Sequence, residues 1–236
     1  MKKQFFIIGL MMVFFALPVY ATDFVYFDNS GTTYSTAALT GFSTTGAMMD
    51  GMTVTADFED GSHETAVWAD SSSISGIASG NGWSLEESGD TFGGTWTLKH
   101  DFDDRGAMYS IRIDAGAGNS VFDISWNGFG TNGSASGLTY ETTSTESCDV
   151  LASYHGLVAI SGNAAVGDLY RTLSLSFRAA GDHSIPGFFG RSMTFKADTD
   201  NLQFAGDIVP TPEPSTMLLL GFGLMGLAGM RRKIKK

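Results

Sequence analysis

The chain has 236 residues, 43% of them hydrophobic and 17% charged, with a formal net charge of −11 at pH 7. Seven basic residues but only one acidic residue lie in its two ends, so the part between them carries 24 acidic and 7 basic side chains, a net charge near −17. Such a surface disfavours nucleic acid and anionic lipid as partners. The single cysteine, Cys148, excludes an intrachain disulfide, and we expect a buried, inert thiol.

The N-terminus has the pattern of a secretory signal peptide. Two lysines precede an apolar run of 13 residues (5–17), and Val19 and Ala21 occupy the two positions that signal peptidase reads. This run is shorter than the roughly 20 residues that a membrane-spanning helix needs. We therefore predict that residues 1–21 are a signal peptide, that signal peptidase cleaves after Ala21, and that the rest is exported.

Alternating apolar and polar residues predict an all-β domain over residues 22–206. Leu173, Leu175 and Phe177 alternate with polar residues, and several similar segments are separated by Asn-Gly, Asp-Gly and Gly-Gly turns. About ten short strands of this kind indicate a single antiparallel β-sandwich or jelly roll. The apolar spacing between Val150 and Val158 alone resembles a helical stripe.

Five aspartates are candidate metal ligands, with calcium as the candidate ion: Asp101, Asp103, Asp104, Asp198 and Asp200. The first three begin like an EF-hand loop, but the twelfth position of that loop is Arg112 rather than the required bidentate glutamate. This excludes an EF-hand and leaves a looser calcium site open. The alternative is that these residues belong to ordinary solvated turns of an acidic domain.

No pattern in the sequence points to catalysis, and we expect no enzymatic activity. The four histidines lack a zinc-binding spacing, and no Gly-x-Ser-x-Gly motif occurs. A polysaccharide hydrolase stays open as a third interpretation, because it needs only two suitably spaced carboxylates. Trp83 and Phe129 each follow an Asn-Gly turn and are candidates for stacking on sugar rings. A carbohydrate-binding module, assisted by calcium, is therefore the alternative function.

The C-terminal tail has three consecutive parts. Residues 207–216 are proline-rich and predict an extended linker that contains Pro212, Glu213 and Pro214. Residues 217–230 form an apolar, glycine-rich run of 14 residues, which predicts a transmembrane helix shorter than the hydrocarbon core of a bilayer. The basic residues that follow, which should stay in the cytoplasm, are Arg231, Arg232, Lys233, Lys235 and Lys236.

In the order and spacing of these parts, the tail resembles the PEP-CTERM sorting signal. One departure is Thr211, which precedes the Pro-Glu-Pro triplet where the family often has valine. The resemblance implies recognition by exosortase, a membrane cysteine protease-transpeptidase of Gram-negative bacteria. It further implies transient anchoring in the inner membrane, processing near the triplet, and transfer to the cell surface or extracellular matrix, often alongside exopolysaccharide production. We therefore expect an exported structural or adhesive protein of the cell surface or biofilm matrix.

Overall fold

The computed structural model describes residues 23–211 except 42, 102–103, 125–129, 132–133, 135, 145–147, 180–186 and 189–190, together with 222, 224 and 225. The predicted signal peptide, the Pro-Glu-Pro triplet and the basic end lie outside these residues, as do Asp103 and Phe129. Of the predicted membrane segment 217–230, only Phe222, Leu224 and Met225 are described, and they are helical. Within the described part of the chain, no helix is long and apolar enough to cross a membrane.

Between residues 23 and 211, the described regular structure consists of strands and two short 3₁₀ turns, at Gly46–Met48 and Ala115–Ala117. The strands are β1 (Asp23–Asp28), β2 (Tyr34–Thr36), β3 (Leu39–Gly41), β4 (Thr53–Phe58), β5 (His63–Val67), β6 (Ala69–Asp70), β7 (Ser75–Gly80), β8 (Trp83–Ser88), β9 (Thr95–His100), β10 (Met108–Asp114), β11 (Ser120–Asp123), β12 (Glu141–Thr142), β13 (Cys148–Ile160), β14 (Leu169–Ala179), β15 (Arg191–Lys196), β16 (Asp198–Leu202) and β17 (Val209–Pro210). The prediction of an all-β domain is confirmed.

These strands form two sheets. The larger has the order β17-β2-β13-β14-β10-β4-β5, with β1 added beside β13 and with β11, β16 and β3 continuing outward from β14. The smaller has the order β12-β15-β9-β8-β7-β6. Most strand pairs are antiparallel as expected, but β1 and β2 both pair with β13 in parallel. The long strand β13 thus pairs with two short strands along different parts of its length.

Aromatic side chains from both sheets meet in the core between them. The ring centroid of Trp96 on β9 lies 5.9 Å from that of Phe195 on β15 and 6.3 Å from that of Phe122 on β11 in the opposite sheet. Trp68, which follows β5, lies 5.5 Å from Trp96 and donates its indole N–H to the Gly46 carbonyl at 2.7 Å. All four rings are completely buried. Their contacts join the two sheets as a sandwich.

The segment with helical spacing is a strand. β13 runs for 13 residues and pairs with β14 along most of its length. Gly156 interrupts it with a φ of +71°, a left-handed conformation that favours glycine. A Cβ atom there would lie 3.1 Å from the Tyr34 ring and 3.2 Å from Cβ of Arg171. The long partner strand, rather than local spacing, therefore decides the conformation of this segment.

The described domain continues into the first part of the predicted linker. β17 pairs antiparallel with β2, and the Thr211 amide donates to the Thr33 carbonyl at 2.8 Å. The Asp207 carboxylate accepts hydrogen bonds from the Thr36 hydroxyl at 2.5 Å and the Ala37 amide at 2.9 Å. Residues 207–211 are therefore held against the larger sheet. β17 lies at the edge of the sheet, which suits a strand that contains proline.

The close contact of Trp68 with the backbone gives a stability prediction. A Cβ atom on Gly76 would overlap Nε1 of Trp68 and the Gly46 carbonyl oxygen. We expect Gly76→Ala to lower the free energy of unfolding by about 1–3 kcal/mol, because overpacking forces the neighbouring groups apart. Urea denaturation of the purified chain measures this change.

The control for this experiment is Gly93→Ala, because a Cβ atom on Gly93 would have no heavy atom within 4 Å. Its free energy of unfolding should stay within about 1 kcal/mol of the wild-type value. Equal stability of the two variants would contradict the packing described for Trp68.

Candidate metal centre

Strand β16 is buried at all five positions, although four of its residues are polar or charged. Alternate residues of a strand point to the same face, so Asp198 and Asp200 lie on one side of β16. β16 pairs antiparallel with β11, and this pairing places Asp123 directly opposite Asp198. The strand pairing therefore brings three aspartates to the same face.

The carboxylates of these residues form a compact, closed group, here called the aspartate cluster (Asp123, Asp198 and Asp200). One oxygen from each lies within 4.8 Å of the other two. The three residues are only 2%, 1% and 1% exposed. The completely buried Asp168 lies near enough to interact electrostatically with Asp123 and Asp200. Its own carboxylate accepts hydrogen bonds from the amide and hydroxyl of Thr131.

Only some of the carboxylate oxygens of the cluster accept hydrogen bonds from described residues. Oδ1 of Asp198 accepts bonds from the Thr91 hydroxyl at 2.9 Å and from the following backbone amide at 2.8 Å. The Ser134 hydroxyl donates to Oδ2 of Asp123, so its single proton is not available to nearby Asp200. Oδ2 of Asp198 and both carboxylate oxygens of Asp200 have no hydrogen-bond partner. Three buried oxygens of the cluster thus have no hydrogen-bond partner among the described residues.

The cluster also lacks a basic partner. Among the described residues, the buried polar and charged side chains include no lysine and no arginine. Burial, together with neighbouring carboxylates, raises the pKa of Asp123 to about 7 and the pKa of Asp198 to about 8. Burial likewise raises the pKa of Asp200 to about 6. Three ionised carboxylates could not remain here without a compensating positive charge.

The burial of this cluster decides whether it can catalyse hydrolysis or bind a cation. A glycoside hydrolase needs two carboxylates that flank a substrate in an open cleft. The carboxylates of the aspartate cluster are sealed from solvent, so a polysaccharide cannot reach them. A small cation is compatible with the site, because all of the candidate ligand atoms are carboxylate oxygens.

The structure brings together some of the aspartates proposed from sequence and separates others. Asp198 and Asp200 meet in the cluster, whereas Asp101 and Asp104 are exposed and lie outside it. Sequence reasoning missed Asp123, which alternates with the apolar residues Phe122 and Ile124. Its side chain therefore points to the face opposite those two residues. Pairing with β16, distant in sequence, brings Asp198 and Asp200 to that same face, and Gly137 packs against the Asp123 carboxylate there.

Trp83, proposed from sequence as a carbohydrate contact, is only 4% exposed. It is the first residue of β8, and the alternation of that strand turns it inward. Its indole N–H donates to the Glu64 carboxylate at 2.9 Å, and Arg105 forms an ion pair with the same carboxylate at 2.9 Å. The indole face is therefore not available for stacking on a sugar.

Exposed aromatic rings are found instead on β1. Phe24 and Tyr26 are 55% and 57% exposed and lie on the same face of that strand. Leu151, which pairs with Phe24 across the β1–β13 ladder, is 38% exposed. Phe24 and Leu151 also line a shallow depression with Ser176 and Arg178. This apolar surface, bordered by hydrogen-bond donors, is here called the β1 face.

A further buried acid lies apart from the aspartate cluster, on β8. Glu87 is completely buried, and neither of its carboxylate oxygens has a hydrogen-bond partner among the described residues. Its carboxylate lies beside Gly46 and Gly94, where a Cβ atom would overlap it or approach it closely. Burial is the main reason that the pKa of Glu87 is raised to about 8; the nearby Gly46 amide acts to lower this pKa, and Asp90 acts to raise it. Glu87 is therefore mostly protonated at neutral pH.

Comparison with known proteins identifies the tail. A family model described as the PEP-CTERM protein-sorting motif matches residues 210–233. The chain carries a PEP-CTERM sorting motif. This confirms the resemblance seen in the sequence, and it indicates an exported protein that exosortase recognises. No curated protein and no solved structure matches the chain.

The PEP-CTERM motif begins where the described domain ends. Its first residue, Pro210, is the last residue of β17, and Thr211 still bonds to the larger sheet. The Pro-Glu-Pro triplet at 212–214 follows at once. The sorting motif is therefore joined to the sandwich without a long free linker.

The raised pKa of Glu87 gives a pH prediction. The unfolded chain loses this proton near the ordinary value of 4.5, whereas the folded chain keeps it until about pH 8. Between these values the unfolded state binds fewer protons, so Glu87 lowers the free energy of unfolding as pH rises, by up to about 1.4 kcal/mol per unit. Glutamine cannot ionise, so Glu87→Gln should not lose stability in this way. We therefore expect the free energy of unfolding of the variant, relative to that of wild type, to increase from pH 5 to pH 8.

Urea denaturation at several pH values, all in the presence of a chelator, tests this expectation. Glu86→Gln is the matched control, because the neighbouring side chain lies on the outward face of β8. The control should follow the wild-type profile. The prediction is wrong if Glu87→Gln and wild type keep a constant difference in stability across this range.

Proposed function

We propose that this chain is an exported protein of the cell surface or extracellular matrix, in which the β-sandwich has a structural or adhesive role. Exosortase processes the tail near the Pro-Glu-Pro triplet. The PEP-CTERM motif at residues 210–233, joined directly to an all-β domain, carries this proposal. Signal peptidase acts first on the N-terminal signal.

The position of β17 supports processing without loss of the fold. The pairing of β17 with β2 and the bond from Thr211 to Thr33 both precede the triplet in the chain. Cleavage near residues 212–214 would therefore leave every described strand in the exported part. The product is a complete sandwich whose C-terminus lies at the edge of the larger sheet.

The charge of the domain supports a role outside the cell. With 24 acidic and 7 basic side chains between the two ends, the domain repels other copies of itself and stays soluble. Neutral polysaccharide and divalent cations are suitable neighbours for such a surface. An exopolysaccharide matrix offers both.

The β1 face favours carbohydrate binding as a second candidate role. Two exposed aromatic rings on one strand can stack against successive sugar rings, because sugars present apolar C–H faces to aromatic side chains. Ser176 and Arg178 beside them can hydrogen-bond to sugar hydroxyl groups. In this alternative the protein adheres to matrix polysaccharide through β1.

Processing is tested by the intact mass of the surface form. We expect the mature protein to lack all residues after the 212–214 region, because exosortase acts at that triplet. Replacing Pro212, Glu213 and Pro214 together by alanine should leave the tail uncut and the protein in the membrane fraction. Thr211→Val, which restores the residue frequent in this motif, is the control and should be processed normally. A mature surface protein that still contains residues 231–236 would contradict exosortase processing.

Polysaccharide pull-down tests the second role. We expect Phe24→Ala with Tyr26→Ala to reduce binding to the matrix polysaccharide at least about tenfold, because stacking of each aromatic ring contributes about 1 kcal/mol. Phe204→Ala, which removes a ring that is 59% exposed outside the β1 face, is the control and should bind like wild type. Undiminished binding by the double variant would exclude the β1 face as the binding surface.

A further inference from the structure

We propose that the aspartate cluster binds one calcium ion, which is buried in the domain as part of its folded structure. The proposal does not depend on the role of the domain outside the cell. It starts from the unsatisfied oxygens. Asp200 is 1% exposed, and neither of its carboxylate oxygens has a hydrogen-bond partner among the described residues; the same holds for Oδ2 of Asp198. Buried polar atoms without partners are rare in native proteins and indicate a missing ion or water.

The charge of the cluster decides between a cation and a water molecule. Asp123, Asp198 and Asp200 carry up to three negative charges, and no buried lysine or arginine occurs in the described chain. A water molecule would supply hydrogen bonds but would leave this charge in place. A divalent cation supplies both the missing ligand contacts and most of the compensating charge.

The ligand atoms and their spacing favour calcium over other ions. The cluster offers carboxylate oxygens only, and neither histidine nor cysteine takes part, which disfavours zinc. Two oxygens bound to one calcium ion at 2.3–2.6 Å can be as much as about 5.2 Å apart, whereas magnesium at 2.0–2.1 Å allows only about 4.2 Å. The oxygens here lie within 4.8 Å of one another. Calcium suits such a group better than magnesium, because its coordination is flexible whereas magnesium demands near-ideal octahedral geometry.

Gly137 and Leu138, which lie in the segment that follows β11 in the chain, close one side of the site. The Leu138 amide donates to the Asp123 carbonyl at 3.2 Å, and the Leu138 carbonyl accepts from the Asp198 amide at 3.1 Å. Gly137 packs against the Asp123 side chain so closely that a Cβ atom would lie 2.6 Å from its carboxylate. An ion enclosed in this way is taken up during folding and leaves only when the segment opens. It acts as a structural ion rather than as an exchangeable surface ligand.

The first test is the melting temperature of the full chain, purified in detergent and stripped of metal with EDTA. Calcium at tenfold excess over its Kd should raise the melting temperature by about 3–6 °C, because it binds only the folded state. Magnesium at equal ionic strength should have a much smaller effect. Asp101→Asn, which removes an exposed acid outside the cluster, should respond like wild type.

The second test uses Asp200→Asn, for which the proposal predicts opposite effects in the two conditions. In EDTA the substitution removes an uncompensated buried charge, so the melting temperature should rise above that of wild type. In calcium it removes a ligand, so the calcium-dependent rise should disappear and the variant should melt below wild type. Asp198→Asn should lose the calcium response in the same way.

Two outcomes would overturn the proposal. If wild type melts at the same temperature in calcium, magnesium and EDTA, the carboxyl groups share protons and hold no ion. If the calcium response persists in Asp200→Asn, the ion binds elsewhere. Should the variants fail to fold, the calcium content of the native chain after desalting decides the question: about one calcium per chain supports the proposal, and none overturns it.

Discussion

The burial of three carboxylates where β16 pairs with β11 is the constraint on which the account of this structure depends. Strand pairing brings them together, because opposite and alternate positions of two antiparallel strands share a face, and Gly137 packs against the Asp123 carboxylate on that face. No lysine or arginine is buried with them in the described chain. Hydrophobic packing alone cannot stabilise such a group, since burying unpaired charge is costly. A compensating ion or proton is therefore required for the native state.

Strand β11 contributes side chains both to the aspartate cluster and to the aromatic core. Phe122 points into the aromatic core and lies 6.3 Å from Trp96 of the opposite sheet, whereas its neighbour Asp123 belongs to the cluster. Any change that separates β16 from β11 would expose both the carboxylates and one edge of the core. The cluster can thus control the stability of the whole domain, although it lies outside the main apolar contacts.

Much of the fold, but little of the site, could be predicted from the sequence. The all-β class follows from period-two alternation, and the PEP-CTERM motif from contiguous residues of the tail. Asp198 and Asp200 were identifiable because they alternate within one short segment, but Asp123 is more than seventy residues away and required knowledge of the pairing. Trp83 was misjudged because its Asn-Gly turn suggested exposure, whereas the first position of β8 faces inward. Local patterns indicate which residues of one strand share a face, whereas the pairing of distant strands and the packing of other segments determine which residues join them and what covers that face.

The most direct test of the central claim is a crystal structure of the chain grown with millimolar calcium, with anomalous scattering measured to locate the ion. We predict one anomalous peak enclosed by Asp123, Asp198 and Asp200, with carboxylate oxygens at about 2.3–2.6 Å from it. Carboxyl groups hydrogen-bonded directly to one another, with no peak between them at that calcium concentration, would contradict it.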